Sequence, residues 1–346
     1  MPMSNAKYRK PAAICSIAAS AALLAAVFFA DPLPVDGSLS AGLLLNTDVS
    51  YMPSSSSSAS SPSVPVSSTP SSGSPGAPGT PAGKVLETNL SRSGNLSAGN
   101  VRMTSKSASK IDLSQLLSAP VSLELSDTLE PQVLIYHTHT TEGYMTEFTG
   151  TYPVGYNSRT TDTRRNVVGV GDVITERLNA AGIVTIHDST VYDSPAYSGA
   201  YGRSQKTVES YLKKYPSIKV ILDVHRDAIQ QNDGSLLKPT TTINGKKAAQ
   251  IMLVSGCDDK GTLGFPNWRQ NLTFAAHLQQ QIVNDHPGLA RPIYCWNVRY
   301  NAHLSPTALL VEFGSDANTA DEVQYSAELF ADSLIAMLNP YIKKNG

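Results

Sequence analysis

Two histidines and a glutamate stand within six residues of the chain, directly after an apolar run. The run is Val133–Tyr136, and the polar residues that follow include His137, His139 and Glu142. Imidazole nitrogens and carboxylate oxygens are donors that a catalytic zinc ion uses. In an α/β sheet, ligands and metals bind at the carboxyl ends of the strands. This spacing therefore predicts a metal site where the first strand of such a sheet ends.

Two later apolar runs end in residues of the same chemical type. His225 follows the run Ile-Leu-Asp-Val, and Glu312 follows the run Ala-Leu-Leu-Val. A titratable group at the end of a buried strand needs a partner, because unpaired burial is costly. Either residue alone could be structural, and Glu312 could pair with an arginine such as Arg226. Three strand ends that each carry a ligand-type residue favour a metal.

The elements that must position these residues alternate between strand and helix along the second half of the chain. Apolar runs predict strands at residues 132–136, 183–187, 218–224, 250–254, 292–296 and 307–311, and 3.6-residue periodicity predicts helices at 165–181, 204–215, 272–284 and 320–338. Such alternation predicts one α/β domain over residues 121–346, with a mostly parallel sheet flanked by helices.

The start of the chain has the pattern of a membrane anchor. Lys7, Arg9 and Lys10 precede residues 11–30, which carry no charge and are mostly apolar. About 20 such residues cross a bilayer as a helix, and the basic flank stays in the cytoplasm. Residues 1–31 are therefore predicted to be a cytoplasmic tip and a transmembrane anchor. A cleaved signal peptide is the alternative, and either would export the rest of the chain.

The anchor is followed by a segment of linker composition. Ser, Pro, Gly, Ala and Thr dominate residues 51–83, and no charge occurs between Asp48 and Lys84. Such a segment buries too little apolar surface to offset its chain entropy. Residues 85–120 are more mixed but remain rich in Ser. We therefore predict a disordered linker over residues 32–120.

Composition argues against several other classes of function. The formal net charge of -1 gives no reason to expect nucleic-acid binding. The chain has no phosphate-binding P-loop, no zinc-finger cysteine pattern and no G-x-S-x-G nucleophile elbow. Of the three cysteines, Cys15 lies in the predicted anchor. Cys257 and Cys295 would be exported, where they could form a disulfide or remain free thiols.

Three blocks of the chain resemble the stage II sporulation protein P family. They are residues 135–144 (Ile-Tyr-His-Thr-His-Thr-Thr-Glu-Gly-Tyr), 223–228 (Asp-Val-His-Arg-Asp-Ala) and 310–314 (Leu-Val-Glu-Phe-Gly). The resemblance spans residues 130–340. It implies a zinc N-acetylmuramoyl-L-alanine amidase-like fold and a peptidoglycan hydrolase of spore engulfment, with amidase and endopeptidase activity. It also implies work with a lytic transglycosylase, sporulation protein D, and a membrane protein, sporulation protein M.

The same resemblance implies a set of metal ligands. Zn²⁺ would be held by His139, Glu142 and His225, because the first His of the broader amidase pattern lies four residues after an Ile of the strand. His137 is the alternative to His139. The family pattern places its Glu ligand farther from the first His, so Glu147 is the alternative to Glu142.

Three further residues are predicted to act in catalysis. Glu312 would take a proton from the attacking water and return it to the leaving amine. His137 would orient a ligand or bond the oxyanion. Arg226 would bind a peptide carboxylate, or else form a structural ion pair with Asp227 or Asp223.

The sequence also predicts where the protein acts and leaves two other functions open. The anchor and linker predict a single-pass protein of the cell membrane, with the catalytic domain on the extracytoplasmic side. A non-catalytic cell-wall-binding scaffold and a metal carboxypeptidase remain open as alternatives to the amidase.

Overall fold

The structure is a computed structural model, and it describes residues 81–343. The predicted anchor over residues 11–30 and the predicted linker up to residue 80 lie outside the described residues. Within residues 81–343, no helix is both long and apolar enough to cross a membrane.

The described chain alternates between strands and helices, as its periodicity predicts. The strands are β1 (Pro81–Thr88), β2 (Leu96–Ala98), β3 (Val101–Ser105), β4 (Leu125–Ser126), β5 (Val133–Tyr136), β6 (Thr151–Pro153), β7 (Thr185–His187), β8 (Val220–Asp227), β9 (Leu236–Ile243), β10 (Lys246–Ala249), β11 (Ile251–Gly256), β12 (Ile293–Trp296), β13 (Thr307–Ser315) and β14 (Ile342–Lys343). The α-helices are α1 (Leu113–Ser118), α2 (Val167–Ala180), α3 (Ala200–Lys214), α4 (Trp268–Asp285) and α5 (Ala320–Leu338).

An eight-stranded sheet forms the centre of the domain, in the order β2-β3-β12-β11-β13-β8-β5-β7. Strands β13, β8, β5 and β7 run parallel to one another, and so do β3, β12 and β11. The two groups meet at the antiparallel pair β11–β13, and β2 pairs antiparallel with β3 at the edge. The expected α/β fold with a mostly parallel sheet is confirmed. A four-stranded sheet, β10-β9-β1-β6, and the pair β14-β4 complete the architecture.

The helices begin and pack where local chemistry dictates. Asn166 accepts a hydrogen bond from the backbone of Val168 and so caps α2. The buried face of α2 carries apolar residues three or four apart, as a helix packed on a sheet requires. Thr319 and Glu322 form a reciprocal capping box at the start of α5, which satisfies two N–H groups that the helix cannot bond internally.

The prediction of a disordered linker is wrong for residues 81–120. These residues form β1, β2, β3 and α1, and β3 pairs with β12 inside the central sheet. Val101 and Met103 are 1% and 0% exposed, so alternate side chains of β3 enter the core. The Ser-rich composition reflects short, half-exposed strands. Composition averages over the two faces of a strand and hides their period of two.

Cys257 and Cys295 are both buried, and both are free thiols in the structure. Cys295 lies in β12, and Cys257 directly follows the neighbouring strand β11. The backbone N–H of Cys257 donates to the carbonyl of Trp296 at the end of β12. Of the two states that the sequence leaves open, the free thiol is the one found.

Replacing Met103 with Ala tests whether β3 belongs to the core. Removal of a fully buried Met side chain should lower the free energy of unfolding by about 2–5 kcal/mol. Urea denaturation of the purified chain measures this value. Ser97→Ala, at an exposed position of β2, is the matched control and should stay within about 0.5 kcal/mol of the wild type. Equal stabilities of the two variants would contradict a place for β3 in the core and would support the prediction of a linker.

Candidate active site

Strand register brings two of the predicted site residues side by side. Strands β5, β8 and β13 are neighbours, and Glu312 on β13 pairs directly with His225 on β8. Tyr136, the last residue of β5, pairs with Asp223. Side chains of directly paired residues point to the same face of a sheet. The three predicted strand ends therefore meet at one edge, with the segment after β5 beside His225.

His225 lies between two buried carboxylates. Its Nδ1 is 3.2 Å from Glu142 Oε2, and its Nε2 is 2.8 Å from Asp223 Oδ1, although the second contact lacks hydrogen-bond angles. Asp223 also accepts hydrogen bonds from the backbone and the hydroxyl of Thr138, at 2.8 and 2.7 Å. Burial lowers the pKa of His225, but the two carboxylates outweigh it and raise that pKa well above its usual value. The pocket thus stabilises positive charge.

Glu142 is ionised in this pocket. Burial alone would raise the pKa of its carboxyl, but His225, Arg226 and His139 together lower it to about 2. The backbone N–H of Arg226 donates to Glu142 Oε2 at 3.2 Å, and Arg159 Nη2 lies 3.8 Å from Oε1. Glu147 is exposed and has no part in these contacts. The structure therefore brings Glu142, and not Glu147, to His225.

His139 is buried with one ring nitrogen unused. Its ring stacks on Tyr197 at a centroid distance of 4.3 Å and meets His225 edge-on at 5.3 Å. Its Nδ1 has no hydrogen-bond partner among residues 81–343. Burial lowers the pKa of His139 to about 4, so the ring is neutral at pH 7. A neutral imidazole is the form that binds a metal.

Glu312 is a buried carboxyl that has lost its usual acidity. Burial, and next the charge of Asp227, raise its pKa well above the usual value. Its Oε2 has no hydrogen-bond partner among the described residues. A carboxyl group with such a raised pKa beside ligand-type side chains is a candidate general acid or base.

His137 is engaged elsewhere. Its Nδ1 contacts the carbonyl oxygen of Val224 at 2.9 Å, and its Nε2 contacts His187 Nε2 at 2.7 Å. These contacts use both ring nitrogens, and burial lowers the pKa of His137 to about 3. Helix α2 packs tightly on the pair, since a Cβ on Gly171 would lie 2.4 Å from His187. The structure does not bring His137 to the pair formed by His225 and Glu142.

Arg226 is tied to backbone oxygens of the surrounding loops. Its guanidinium donates to the carbonyls of Gly143 at 3.0 Å and Asp227 at 3.2 Å, and to both the carbonyl and the hydroxyl of Ser158. Four of its five N–H groups are used in this way. The Asp227 carboxylate accepts instead from Arg291, at 2.8 Å. The alternative that the sequence left open, an ion pair of Arg226 with Asp227 or Asp223, is not formed among the described residues. Binding of a peptide carboxylate by Arg226 stays a prediction.

Sequence reasoning gave no role to several residues that build this site. Asp223 stands two positions before His225 on one strand, so period-two alternation alone places both on the same face. Asp193, Arg159 and Tyr197 come from loops. Asp193 accepts from Arg159 Nη1 at 2.6 Å, and the Arg159 guanidinium carbon lies 4.7 Å from the centre of the Tyr197 ring. No local sequence signal predicts such loop contacts.

The donors fit a zinc ion in type, and His139 and Glu142 also fit it in charge. Two imidazoles and one carboxylate make up a known class of catalytic zinc site. His139 is neutral with a free Nδ1, and Glu142 is ionised. As the side chains stand, no group of three or more His, Cys, Asp or Glu residues within 81–343 is arranged to hold a metal. His225 and Glu142 are instead directed at each other as an ion pair.

Comparison with known proteins identifies relatives of the chain. The family model described as stage II sporulation protein P matches residues 78–335. Stage II sporulation protein P of Bacillus subtilis (strain 168) is 31% identical over 212 residues, which cover 58% of this chain and 49% of that protein. The chain therefore spans about half the length of this curated relative.

Solved structures that are similar to the chain include amidases of low sequence identity. The N-acetylmuramoyl-L-alanine amidase from Clostridium difficile 630 matches at a TM-score of 0.37 and 14% identity, over 62% of this chain and 97% of that one. The CwlD amidase from Clostridioides difficile, in complex with the GerS lipoprotein, matches at 0.38 and 10% identity, over 61% and 98% of the two chains.

Replacing Glu312 with Gln should stabilise the metal-free chain relative to the wild type, and this gain in the free energy of unfolding should increase as the pH rises. The pKa of Glu312 is raised in the folded chain, so the folded chain holds this proton more tightly than the unfolded chain does. Folding stability is then lost as pH rises above the unfolded value near 4.5. Gln removes this loss, so the variant's advantage should grow by at most about 1.4 kcal/mol per pH unit.

The measurement is urea unfolding of chelator-treated protein at about pH 5 and about pH 8. Glu147→Gln, at an exposed position, is the matched control and should stay within about 0.5 kcal/mol of the wild type at both pH values. A stability difference between Glu312→Gln and wild type that is the same at both pH values would contradict the raised pKa.

Proposed function

Because this chain belongs to the stage II sporulation protein P family, we propose that it is a peptidoglycan hydrolase of sporulation. More specifically, it is a zinc-dependent N-acetylmuramoyl-L-alanine amidase with additional endopeptidase activity, used in spore engulfment. One observation carries the proposal. His225, paired with Glu142, stands beside two buried atoms that have no hydrogen-bond partner within residues 81–343, His139 Nδ1 and Glu312 Oε2.

His139, Glu142 and His225 would hold the zinc ion. A zinc ion bound there would supply Lewis acidity, which would polarise a carbonyl and make water more acidic. The negative charge of Glu142 and Asp223 already favours a cation there, as the raised pKa of His225 indicates. Asp223 lies against the far nitrogen of His225 and would keep the ring in one orientation, as carboxylates commonly do behind metal-binding histidines.

Glu312 moves the proton. It takes a proton from the water whose oxygen attacks the lactyl carbonyl carbon, and so acts as a general base. The carbon–nitrogen bond then breaks, and the L-alanine nitrogen leaves with the proton that Glu312 returns. A carboxyl with a raised pKa suits the return of the proton, because it holds a proton more readily than an ordinary glutamate does.

We also propose a place for this chemistry. The uncharged residues 11–30 behind a basic flank would anchor the chain and leave the domain on the extracytoplasmic side, where peptidoglycan lies. The family resemblance adds sporulation protein D and sporulation protein M as partners. A fractionation of sporulating cells, followed by co-purification with tagged chain, would test both parts of this proposal.

Digestion of purified peptidoglycan tests the reaction. The full chain should release intact stem peptides and leave glycan strands with free lactyl groups, as mass spectrometry of the products would detect. Treatment with a chelator should stop the release, and added Zn²⁺ should restore it, because the ligands are imidazole and carboxylate donors.

Two other outcomes of this digestion would indicate a different function. Loss of only the terminal D-alanine would indicate a metal carboxypeptidase. Binding of peptidoglycan without any released fragment, with or without Zn²⁺, would indicate a cell-wall-binding scaffold.

Two substitutions should separate metal binding from proton transfer. His225→Ala should lose both bound zinc and turnover, since it removes a ligand. Glu312→Gln should keep bound zinc and lose at least about a hundredfold in turnover, because the base is gone. Metal analysis and product release are measured on the same samples. Full activity of Glu312→Gln would remove it from the mechanism.

A further inference from the structure

A pocket that contains two arginines lies apart from the residues of the candidate active site. Its volume is about 290 Å³, and its walls include Arg92, Asn100, Arg102, Gln279 and Gly288. None of the lining residues within 81–343 is acidic. The guanidinium groups of Arg92 and Arg102 form no hydrogen bond or ion pair with any other described residue. Two positive charges without a counter-charge in one pocket favour an anionic ligand.

Two buried glutamines hold the walls of this pocket in place. The side chain of Gln250 accepts a hydrogen bond from the backbone N–H of Leu90 and donates one to the carbonyl of Gly288, both at 2.7 Å. The side chain of Gln279 accepts from the backbone N–H of Arg102 at 2.8 Å. The chain segments that form the pocket are therefore bonded to α4 and to the residue before β11. Walls that are formed in advance lower the entropic cost of binding a ligand.

The pocket lies at the same edge of the central sheet as the candidate active site. Strand β11 runs antiparallel to β13, and its first residue, Ile251, pairs with Phe313, next to Glu312. Ala290, on the wall of the pocket, forms a β-bridge with the same Ile251. Strands β12 and β3 follow β11 in the sheet. Since neighbouring strands are about 4.8 Å apart, β12 and β3 lie about 10 and 14 Å from β13.

Hydrogen bonds also join the pocket to the strands that carry the proposed site residues. The backbone carbonyl of Gln250 accepts from the N–H of Gly314 at 3.0 Å, two residues after Glu312. Arg291, which follows the pocket wall, donates to the carboxylate of Asp227 at the end of β8, at 2.8 Å. These bonds fix the spacing between the pocket and the site, so one extended ligand could meet both.

The chemistry and the size of the pocket fit a single carboxylate-bearing residue. The planar guanidinium of an arginine donates two parallel hydrogen bonds to a carboxylate, which makes arginine the favoured partner of that group. A volume of about 300 Å³ is at the lower end of the range for small-molecule pockets. An extended peptide spans about 3.3–3.6 Å per residue, so the separation of about 10–14 Å corresponds to three or four residues.

We propose that this pocket is a substrate subsite, in which Arg92 and Arg102 bind the terminal carboxylate of the stem peptide whose amide lies at Glu312. The inference rests on the proposed function and narrows its substrate class to stem peptides with a free carboxyl end. The two arginines act on the binding of substrate and take no part in proton transfer. No bond to them is made or broken.

Binding of two synthetic muropeptides to the full chain tests this subsite. Both carry a four-residue stem peptide on the muramoyl lactyl group, and they differ only in a terminal carboxylate or a terminal carboxamide. With metal removed by a chelator, titration calorimetry should show about tenfold tighter binding of the carboxylate form to the wild type. Arg92→Gln/Arg102→Gln should bind both forms with the weaker affinity. With Zn²⁺ restored, this variant should show a higher KM for the carboxylate form and an unchanged kcat.

Lys213→Gln/Lys214→Gln is the matched control, because it removes the same charge at another place. These lysines end α3, before the amino end of β8, and so lie toward the opposite edge of the sheet. The control should keep the wild-type preference for the carboxylate form. Neither pair of side chains is buried, so both variants should unfold at the same urea concentration as the wild type.

The other outcomes separate the subsite from the proposed reaction. Equal preference for the carboxylate form in the arginine variant and the wild type overturns the subsite, and product release by the wild type would still support the reaction. The predicted binding pattern without any product in the presence of Zn²⁺ supports the subsite and overturns the reaction. An equal loss of preference in the lysine control shows unspecific attraction and overturns the subsite. Arginine-dependent binding of inorganic phosphate, without discrimination between the muropeptides, assigns the pocket to a phosphate-bearing ligand and also overturns the subsite.

Discussion

The pairing of His225 with two buried carboxylates is the interaction on which the surrounding structure depends. Removing a carboxylate from water costs several kcal/mol unless charge and hydrogen bonds compensate it. Here the imidazole supplies the charge, while Thr138 and the backbone of Arg226 supply hydrogen bonds to Asp223 and Glu142. Since Glu142 arrives from the segment after β5 and His225 belongs to β8, this pairing also fixes that segment against the sheet.

The site has one half on strands and one half on a loop, and the two are positioned by different forces. Strand register alone sets His225 beside Glu312, and both strands are buried along their whole length. The loop half needs dedicated side chains. The Arg226 guanidinium donates to the carbonyls of Gly143, Asp227 and Ser158. Asp193 accepts hydrogen bonds from the backbone N–H and the hydroxyl of Thr141, at 3.1 and 2.7 Å. An arginine suits the first task, because its planar fork reaches several acceptors at once.

The sequence predicts the central fold well, because the strands there are buried on both faces and the helices carry long apolar periodicities. It fails for β1 to β3, where buried side chains such as Met103 stand beside half-buried ones such as Arg102 and Ser105 and the composition resembles that of a linker. It also misses the hairpin of β9 and β10, whose Thr, Lys and Ala residues lack a continuous apolar run. In both cases burial depends on partners distant in the sequence, which a local window cannot detect.

The site is predicted in part for the same reason. His225 and Glu312 can be predicted because they lie at strand ends, and Asp223 can be predicted because side chains two residues apart on a strand share a face. Which of His137 and His139 enters the site cannot be predicted in this way, because β5 ends at Tyr136 and strand alternation no longer applies. A turn closed by the Glu142 N–H on the carbonyl of His139, at 3.0 Å, decides which ring meets His225.

Residue types alone do not distinguish a working site from a buried polar network, so the hydrogen bonds of each atom must be considered. A domain is stable by only about 5–15 kcal/mol, and each buried polar atom without a partner costs about 1–3 kcal/mol. Among the described residues, such atoms at the proposed site include His139 Nδ1, His225 Nε2 and Glu312 Oε2, and others lie elsewhere, for example in Thr175 and His286. Hydrogen bonds within the protein hold Asp223 and Arg226 in place at the site, whereas His139 Nδ1 and Glu312 Oε2 are left without a protein partner among residues 81–343.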